Sequence, residues 1–101
     1  MLTVTARHQG DLLSLGLEGE LALESVEEFL AAVSQYTPQG QRLELDCRGL
    51  IFVDSTGMNA LLQVVLRWRR ARVQIQVVNL ADDLHDMLDI LGFFDVLAQE
   101  P

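Results

Sequence analysis

The stretch LELDCRGLIFVDSTG, residues 43–57, decides the fold of this chain. It opens with alternating apolar and polar residues, passes Arg48-Gly49, continues through the apolar run LIFV and ends in DSTG at residues 54–57. The alternation predicts a β-strand, and Asp-Ser-Thr ahead of a long helical pattern is typical of a helix N-terminus. We therefore predict a short strand, a turn at Arg48-Gly49, and a helix over about residues 55–70.

Ser55 places a hydroxyl at the predicted start of this helix. The first backbone N–H groups of a helix lack internal partners and carry partial positive charge, so an anion is stabilised there. A phosphate on Ser55 would add about −1.5 to −2 charges at pH 7. The commonest role of such residues is simply to cap the helix. Gly57 favours the switch, because it costs about 1 kcal/mol relative to alanine in a helix and would let a kinase loop or a nucleotide phosphate approach the backbone.

The rest of the chain predicts the element order β-β-α-β-α-β-α. Residues 2–7 and 12–17 predict a hairpin, and residues 73–77 alternate as a fourth strand. SVEE at residues 25–28 predicts a capping box opening a helix that residues 37–40 end. A helix from Asp82 is expected to stop at Gly92, with the tail from Phe93 packing on the core. A strand–helix–strand unit requires a right-handed crossover, so we expect an α/β fold with a small mixed β-sheet and helices mainly on one face.

Composition excludes several classes of function. The chain has 101 residues, enough for a single domain spanning 1–101, and seven Arg without Lys against fifteen Asp and Glu give a net charge of −8. That charge disfavours nucleic acid and anionic lipid as partners. No apolar run approaches the ~20 residues of a membrane span, no signal peptide is recognisable, and the single Cys47 fits a reducing compartment, so we expect a soluble cytoplasmic protein. Neither a catalytic set, a metal-ligand cluster nor a phosphate-binding loop is recognisable, which predicts a non-enzyme without cofactor or metal.

Four features in order resemble the STAS domain of bacterial anti-sigma factor antagonists, over nearly the whole chain. They are GEL at residues 19–21, Asp46 at a strand end, DSTG at residues 54–57 and LGF at residues 91–93. The resemblance implies that Ser55 is phosphorylated by a partner serine kinase that is also the anti-sigma factor, with Thr56 the weaker candidate. Ala22 departs from the family pattern, which often has Asp after Gly-Glu-Leu, near the switch serine.

The helix after Ser55 carries more apolar residues than a ~100°-wide stripe can hold. Either it is buried on two sides, or its first turns leave apolar side chains exposed for a partner. The residues predicted to contact a partner are Asp54, Gly57, Met58, Asn59 and Leu62. Four arginines at residues 67–72 suit the helix C-terminus electrostatically, and a docking role against an acidic surface is the second interpretation.

Two functions follow from the resemblance. The first is an anti-sigma factor antagonist, a binding module that sequesters a serine kinase/anti-sigma factor while Ser55 is unphosphorylated. The alternative is a STAS scaffold subunit that does not switch, in a stressosome-like or transporter-associated complex, where Ser55 only caps a helix. A weak homodimer is compatible with either function.

Overall fold

A computed structural model describes residues 1–36 and 42–99 of the chain. None of the helices within these residues is long and apolar enough to cross a membrane. The elements are, in chain order, β1 (Leu2–Gln9), β2 (Leu12–Leu21), α1 (Val26–Ser34), β3 (Arg42–Val53), α2 (Ser55–Arg70), β4 (Gln74–Val78), α3 (Asp82–Ile90) and α4 (Phe93–Gln99).

The described strands form one mixed sheet in the order β1-β2-β3-β4. β1 and β2 are an antiparallel hairpin, whose turn contains Gly10 at a φ of +59°. β3 pairs parallel with both β2 and β4. Parallel neighbours need crossover connections, which α1 and α2 supply. The predicted mixed sheet is confirmed.

One face of the sheet forms the core beneath the helices. Along β2, Leu13, Leu15 and Leu17 are at most 2% exposed, whereas the residues between them are only half-buried. α1 adds Phe29 and Val33 to the same core. α2 contributes eight buried residues and contacts α1, α4 and two strands, so it is buried on two sides. The expected placement of the helices mainly on one face is also confirmed.

The C-terminal segment is a fourth helix, where the sequence predicted only a packed tail. Gly92 follows α3 in the left-handed region, at a φ of +87°, as expected for the residue that ends a helix. α4 begins at once, with Phe93 fully buried and the Val96 N–H donating to the Gly92 carbonyl at 3.1 Å. Seven residues are too few to show a helical period, which explains why the prediction missed this helix.

β3 runs straight through the turn predicted at Arg48-Gly49, so that prediction is wrong. Gly49 pairs with Glu18 of β2, next to a shift in the pairing register. A Cβ at Gly49 would lie 2.7 Å from the Glu18 Cγ. Glycine therefore permits the close approach of two strands here and does not reverse the chain.

The capping box predicted at residues 25–28 does not form. The Ser25 hydroxyl donates to the Glu20 carbonyl at 2.7 Å and accepts from the Ala22 N–H at 3.0 Å, and it makes no capping hydrogen bond to α1. Ser25 thus closes the loop between β2 and α1. The predicted stop of α1 at residues 37–40 lies outside the described residues.

Candidate functional site

The start of α2 lies at the carboxyl ends of two parallel strands. Leu21, the last residue of β2, pairs with Val53, the last residue of β3. The Asp54 N–H then donates to the Leu21 carbonyl at 3.3 Å. The loop after β2 and the N-terminus of α2 therefore meet at one edge of the sheet, which is the edge where α/β folds commonly bind ligands.

Asp54 holds this edge together with both of its carboxylate oxygens. As the N-cap of α2, it accepts a hydrogen bond from the Gly57 N–H to Oδ1 at 2.7 Å. Its Oδ2 accepts a second hydrogen bond from the Leu23 N–H, in the loop after β2, at 3.1 Å. Asp54 was predicted to contact a partner, and that role stays a prediction. The role visible in the structure is to fix the loop to the helix.

Ser55 is the first residue of α2 and is exposed, as predicted. No described residue forms a hydrogen bond with its hydroxyl, because the capping role belongs to Asp54. Thr56, the weaker candidate for phosphorylation, is half-buried. Of the two residues, Ser55 is therefore the more accessible.

Gly57 is required for packing. A Cβ there would overlap the carbonyl oxygen of Leu21 and lie 2.7 Å from its carbonyl carbon. The residue is buried against the end of β2, so this glycine lets the helix reach the strand. This packing is sufficient to explain why residue 57 is glycine. Access of a kinase loop to the backbone, which was expected from the sequence, is not needed to explain it.

Two of the predicted partner residues belong mainly to the core. Met58 and Leu62 are each 8% exposed. Of the two interpretations of α2, burial on two sides therefore holds for these side chains. Asn59, by contrast, is exposed and remains available to a partner.

Exposed apolar side chains do occur on the two segments joined at Asp54, but not at the positions predicted from the sequence. Leu23, Ile51 and Phe52 are 68%, 71% and 40% exposed, and we call these three residues the apolar rim. The Leu23 backbone is bonded to Asp54, and Phe52 lies two residues before it. β3 pairs with β4 only as far as Asp46, so no described strand lies beside the last residues of β3 on that side. The signal in the sequence was the unbroken run LIFV, which does not alternate.

Ala22, the position at which the chain departs from the family pattern, lies between Leu21 and Leu23, which are both hydrogen-bonded to Asp54. It is 6% exposed. A carboxylate in its place would need a hydrogen-bonding partner to offset its burial. Across residues 1–36 and 42–99, no group of three or more His, Cys, Asp or Glu side chains is arranged to hold a metal ion.

Comparison with known proteins identifies one family and several structures of the same fold. The profile described as "Mlab, STAS domain" matches residues 4–98. No curated protein matches the chain. The STAS domain of an anti-sigma factor antagonist from Rhodobacter sphaeroides is 27% identical, with a TM-score of 0.68 over 77% of this chain and 86% of that chain.

Two further structures show how widely the fold is used. The anti-sigma factor antagonist SpoIIAA in its unphosphorylated form is 19% identical, with a TM-score of 0.65 over 88% of this chain and 82% of that chain. The murine anion transporter Slc26a9 is 22% identical, with a TM-score of 0.78 over 88% of this chain but only 15% of that chain. The match to the protein in the crystal structure of Mglu likewise covers only 20% of that chain. It thus corresponds to a small part of some of these proteins and to most of others.

Proposed function

This chain belongs to the family described as "Mlab, STAS domain", and on that premise we propose that it is a protein-binding module switched by phosphorylation. In this proposal it binds a serine kinase/anti-sigma factor while Ser55 is unmodified, and so acts as an anti-sigma factor antagonist in the cytoplasm. It acts by binding alone, without catalysis. The Rhodobacter sphaeroides protein, an antisigma-factor antagonist by its description, supports this function at 27% identity.

The observation that carries the proposal is Ser55 itself, an exposed residue at the N-terminus of a sixteen-residue helix whose hydroxyl makes no hydrogen bond to any described residue. A modifying enzyme can reach it without unfolding the domain, because Asp54 already caps the helix. The free N–H groups of the first turn and the helix dipole stabilise a phosphate at this position. Phosphorylation is therefore compatible with the folded protein.

Release follows from what the phosphate does inside the complex. The apolar rim beside Ser55 gives a partner apolar surface to cover, and a phosphate within that contact would lose its water. Each 1.4 kcal/mol of this desolvation and like-charge repulsion weakens binding about tenfold. Phosphorylation of Ser55, which the free domain tolerates, is therefore sufficient to dissociate the complex.

Phosphorylation is tested by incubating the protein with ATP and a serine kinase/anti-sigma factor from the same organism, followed by mass determination. We expect one added phosphate on the wild type and on Thr56→Ala, and none on Ser55→Ala. The Ser55→Ala protein should still bind the kinase. Undiminished labelling of Ser55→Ala would move the site away from this residue.

The apolar rim offers a second test with a matched control. Leu23→Ser and Phe52→Ser remove exposed apolar side chains next to Asp54, whereas Ile90→Ser removes one that is 85% exposed on α3. We expect the first two variants to weaken kinase binding about tenfold and Ile90→Ser to leave it unchanged, with similar melting temperatures for all three. Equal effects of all three would show that the partner does not cover the rim.

The second candidate function is a STAS subunit of a larger scaffold or of a transporter complex, in which Ser55 is never modified. The observation that favours it is the fold shared with the transporter Slc26a9, together with a capping arrangement at Asp54 that needs no switch. If Ser55→Asp binds the kinase as tightly as wild type, or if no kinase labels the protein, this function becomes the better explanation.

A further inference from the structure

α2 presents a continuous exposed stripe that begins at the switch residue. Ser55, Asn59, Gln63 and Arg67 are all exposed and recur every four residues, so neighbouring members are adjacent and the four form one row that is inclined to the helix axis. At 1.5 Å per residue the stripe is about 18 Å long, or just over three turns. We call these four residues the α2 stripe.

A shallow groove follows the C-terminal part of the stripe. Its apolar floor is formed by Leu62, which is 8% exposed, and Leu66, which is half-buried. Polar side chains line it along the same helix: Asn59, Gln63, Arg67 and Arg70. The groove is therefore amphipathic, with apolar side chains below and positive charge at one end.

The positive end stands out in a chain whose net charge is −8. Four of the seven arginines lie within residues 67–72, at the C-terminus of α2. Arg42 is paired with Asp11, and Arg69 donates to the Leu97 carbonyl at 3.0 Å. Arg67, in contrast, is exposed and makes no ion pair or side-chain hydrogen bond with any described residue. Compensating the helix C-terminus accounts for cations here, but it leaves the Arg67 guanidinium open to a carboxylate.

We propose that the α2 stripe is the docking site for an acidic amphipathic helix of the partner protein. This inference rests on the proposed function and adds the chemistry of the partner. A carboxylate of that helix pairs with Arg67, and an apolar side chain rests on Leu62 and Leu66. The length, the amphipathic floor and the single sign of charge match a helix of about three turns lying along the groove.

An acidic partner would also explain why phosphorylation of Ser55 weakens binding and does not strengthen it. Phosphate on Ser55 puts negative charge at the N-terminal end of the same stripe, where the acidic helix continues toward the apolar rim. Attraction at Arg67 orients the partner and repulsion at Ser55 expels it. The two ends of one helix thus determine binding and release.

The experiment measures binding of the purified kinase/anti-sigma factor by titration calorimetry at two salt concentrations. Arg67→Glu should weaken binding about tenfold or more, and Gln63→Arg should tighten it several-fold by adding a cation to the stripe. Arg7→Glu makes the same charge change at an exposed position of β1 and should leave binding unchanged. Binding by the wild type should weaken as salt rises, and binding by Arg67→Glu should depend less on salt. Arg67→Gln removes the positive charge without adding a negative one, and it should also weaken binding. Melting temperatures measured for every variant separate loss of binding from loss of fold.

The outcomes distinguish this inference from the proposed function. If wild type binds the kinase and Ser55→Asp does not, but Arg67→Glu behaves like Arg7→Glu, the stripe inference is overturned and the proposed function stands. If wild type does not bind the kinase at all, the proposed function fails, and the inference that rests on it fails as well. Sedimentation would show whether the wild type forms a dimer. If it does, and Arg67→Glu abolishes the dimer, the groove binds a second copy of this chain and the inference is overturned.

Discussion

Replacing Asp54 tests whether this residue acts through the fold or through a partner. Asp54→Ala removes both acceptors, the one for the Gly57 N–H at 2.7 Å and the one for the Leu23 N–H at 3.1 Å. Asp54→Asn keeps one oxygen for the cap and places an amide, which cannot accept, opposite Leu23. Asp54→Asn therefore removes one of the two hydrogen bonds, and Asp54→Ala removes both.

The expected losses follow from the kinds of hydrogen bond removed. Loss of an N-cap costs about 1 kcal/mol, and the solvent-exposed bond to Leu23 adds about 0.5 kcal/mol. Asp54→Ala should therefore lower the free energy of unfolding by about 1.5 kcal/mol, and Asp54→Asn by about 0.5 kcal/mol. For a domain of this size the former corresponds to a fall in melting temperature of roughly 10 °C.

Urea unfolding measures these losses, and kinase binding by the folded variants decides the interpretation. We expect the order wild type, Asp54→Asn, Asp54→Ala in stability, with an unchanged denaturant slope. Binding by Asp54→Asn should equal that of wild type, because both oxygens of Asp54 are used within the domain. Full stability of Asp54→Ala, or loss of binding by a stable Asp54→Asn, would refute this reasoning and restore the direct contact predicted from the sequence.

Three further predictions concern neighbouring positions. Gly57→Ala should destabilise the domain by about 1–3 kcal/mol in urea unfolding, because its Cβ overlaps the Leu21 carbonyl, whereas Asn59→Ala on the exposed face should change stability by less than about 0.5 kcal/mol. Ser55→Asp should keep the melting temperature of wild type or raise it slightly, since an acid at the first helical position suits the dipole, while kinase binding falls at least about tenfold. Burial, with a smaller effect of nearby acidic charge, raises the pKa of Cys47 from 9.0 to about 12. The unfolded thiol ionises first, so stability should fall as pH rises from about 9 toward 12, and Cys47→Ala should lack that part of the loss in alkaline melts.

Periodicity in the sequence was sufficient for the architecture. The alternation of β3 and β4 and the helical pattern of α2 between them predicted a parallel crossover and hence the mixed sheet, because burial of one face imposes these periods. Periodicity did not predict the features that depend on contacts between residues distant in the sequence. Arg48-Gly49 has the composition of a turn, yet Gly49 serves the close approach of Glu18 on β2. Ser25 has the sequence of a cap, yet its hydroxyl is used by the loop before it.

The position of Ser55 in the fold was predicted from the sequence, but the exposed surface around it was not. Ser55 could be placed at the start of α2 because cap residues act locally, within one turn of the helix. Which apolar side chains stay exposed is a tertiary property, and helical spacing does not distinguish Met58, which is buried, from a residue that a partner covers. The rim residues Leu23 and Phe52 are exposed because β3 extends past β4 and the loop after β2 is held at Asp54. Neither condition can be read from one segment of the sequence.

Asp54 forms the hydrogen bonds that fix the start of α2, whereas Ser55 carries the hydroxyl that we propose is phosphorylated. This separation of roles would allow a switch without unfolding. A capping serine that lost its hydroxyl to phosphate would weaken the helix it starts, so that modification would change stability together with binding. Here Asp54 holds the helix and the loop, and the Ser55 hydroxyl holds nothing among the described residues. A phosphate on Ser55 therefore changes the charge of the surface while leaving the hydrogen bonds that fix it. Exchange of the two roles by the double substitution Asp54→Ser and Ser55→Asp should abolish the switch while retaining a cap, which kinase labelling and thermal melting would measure together.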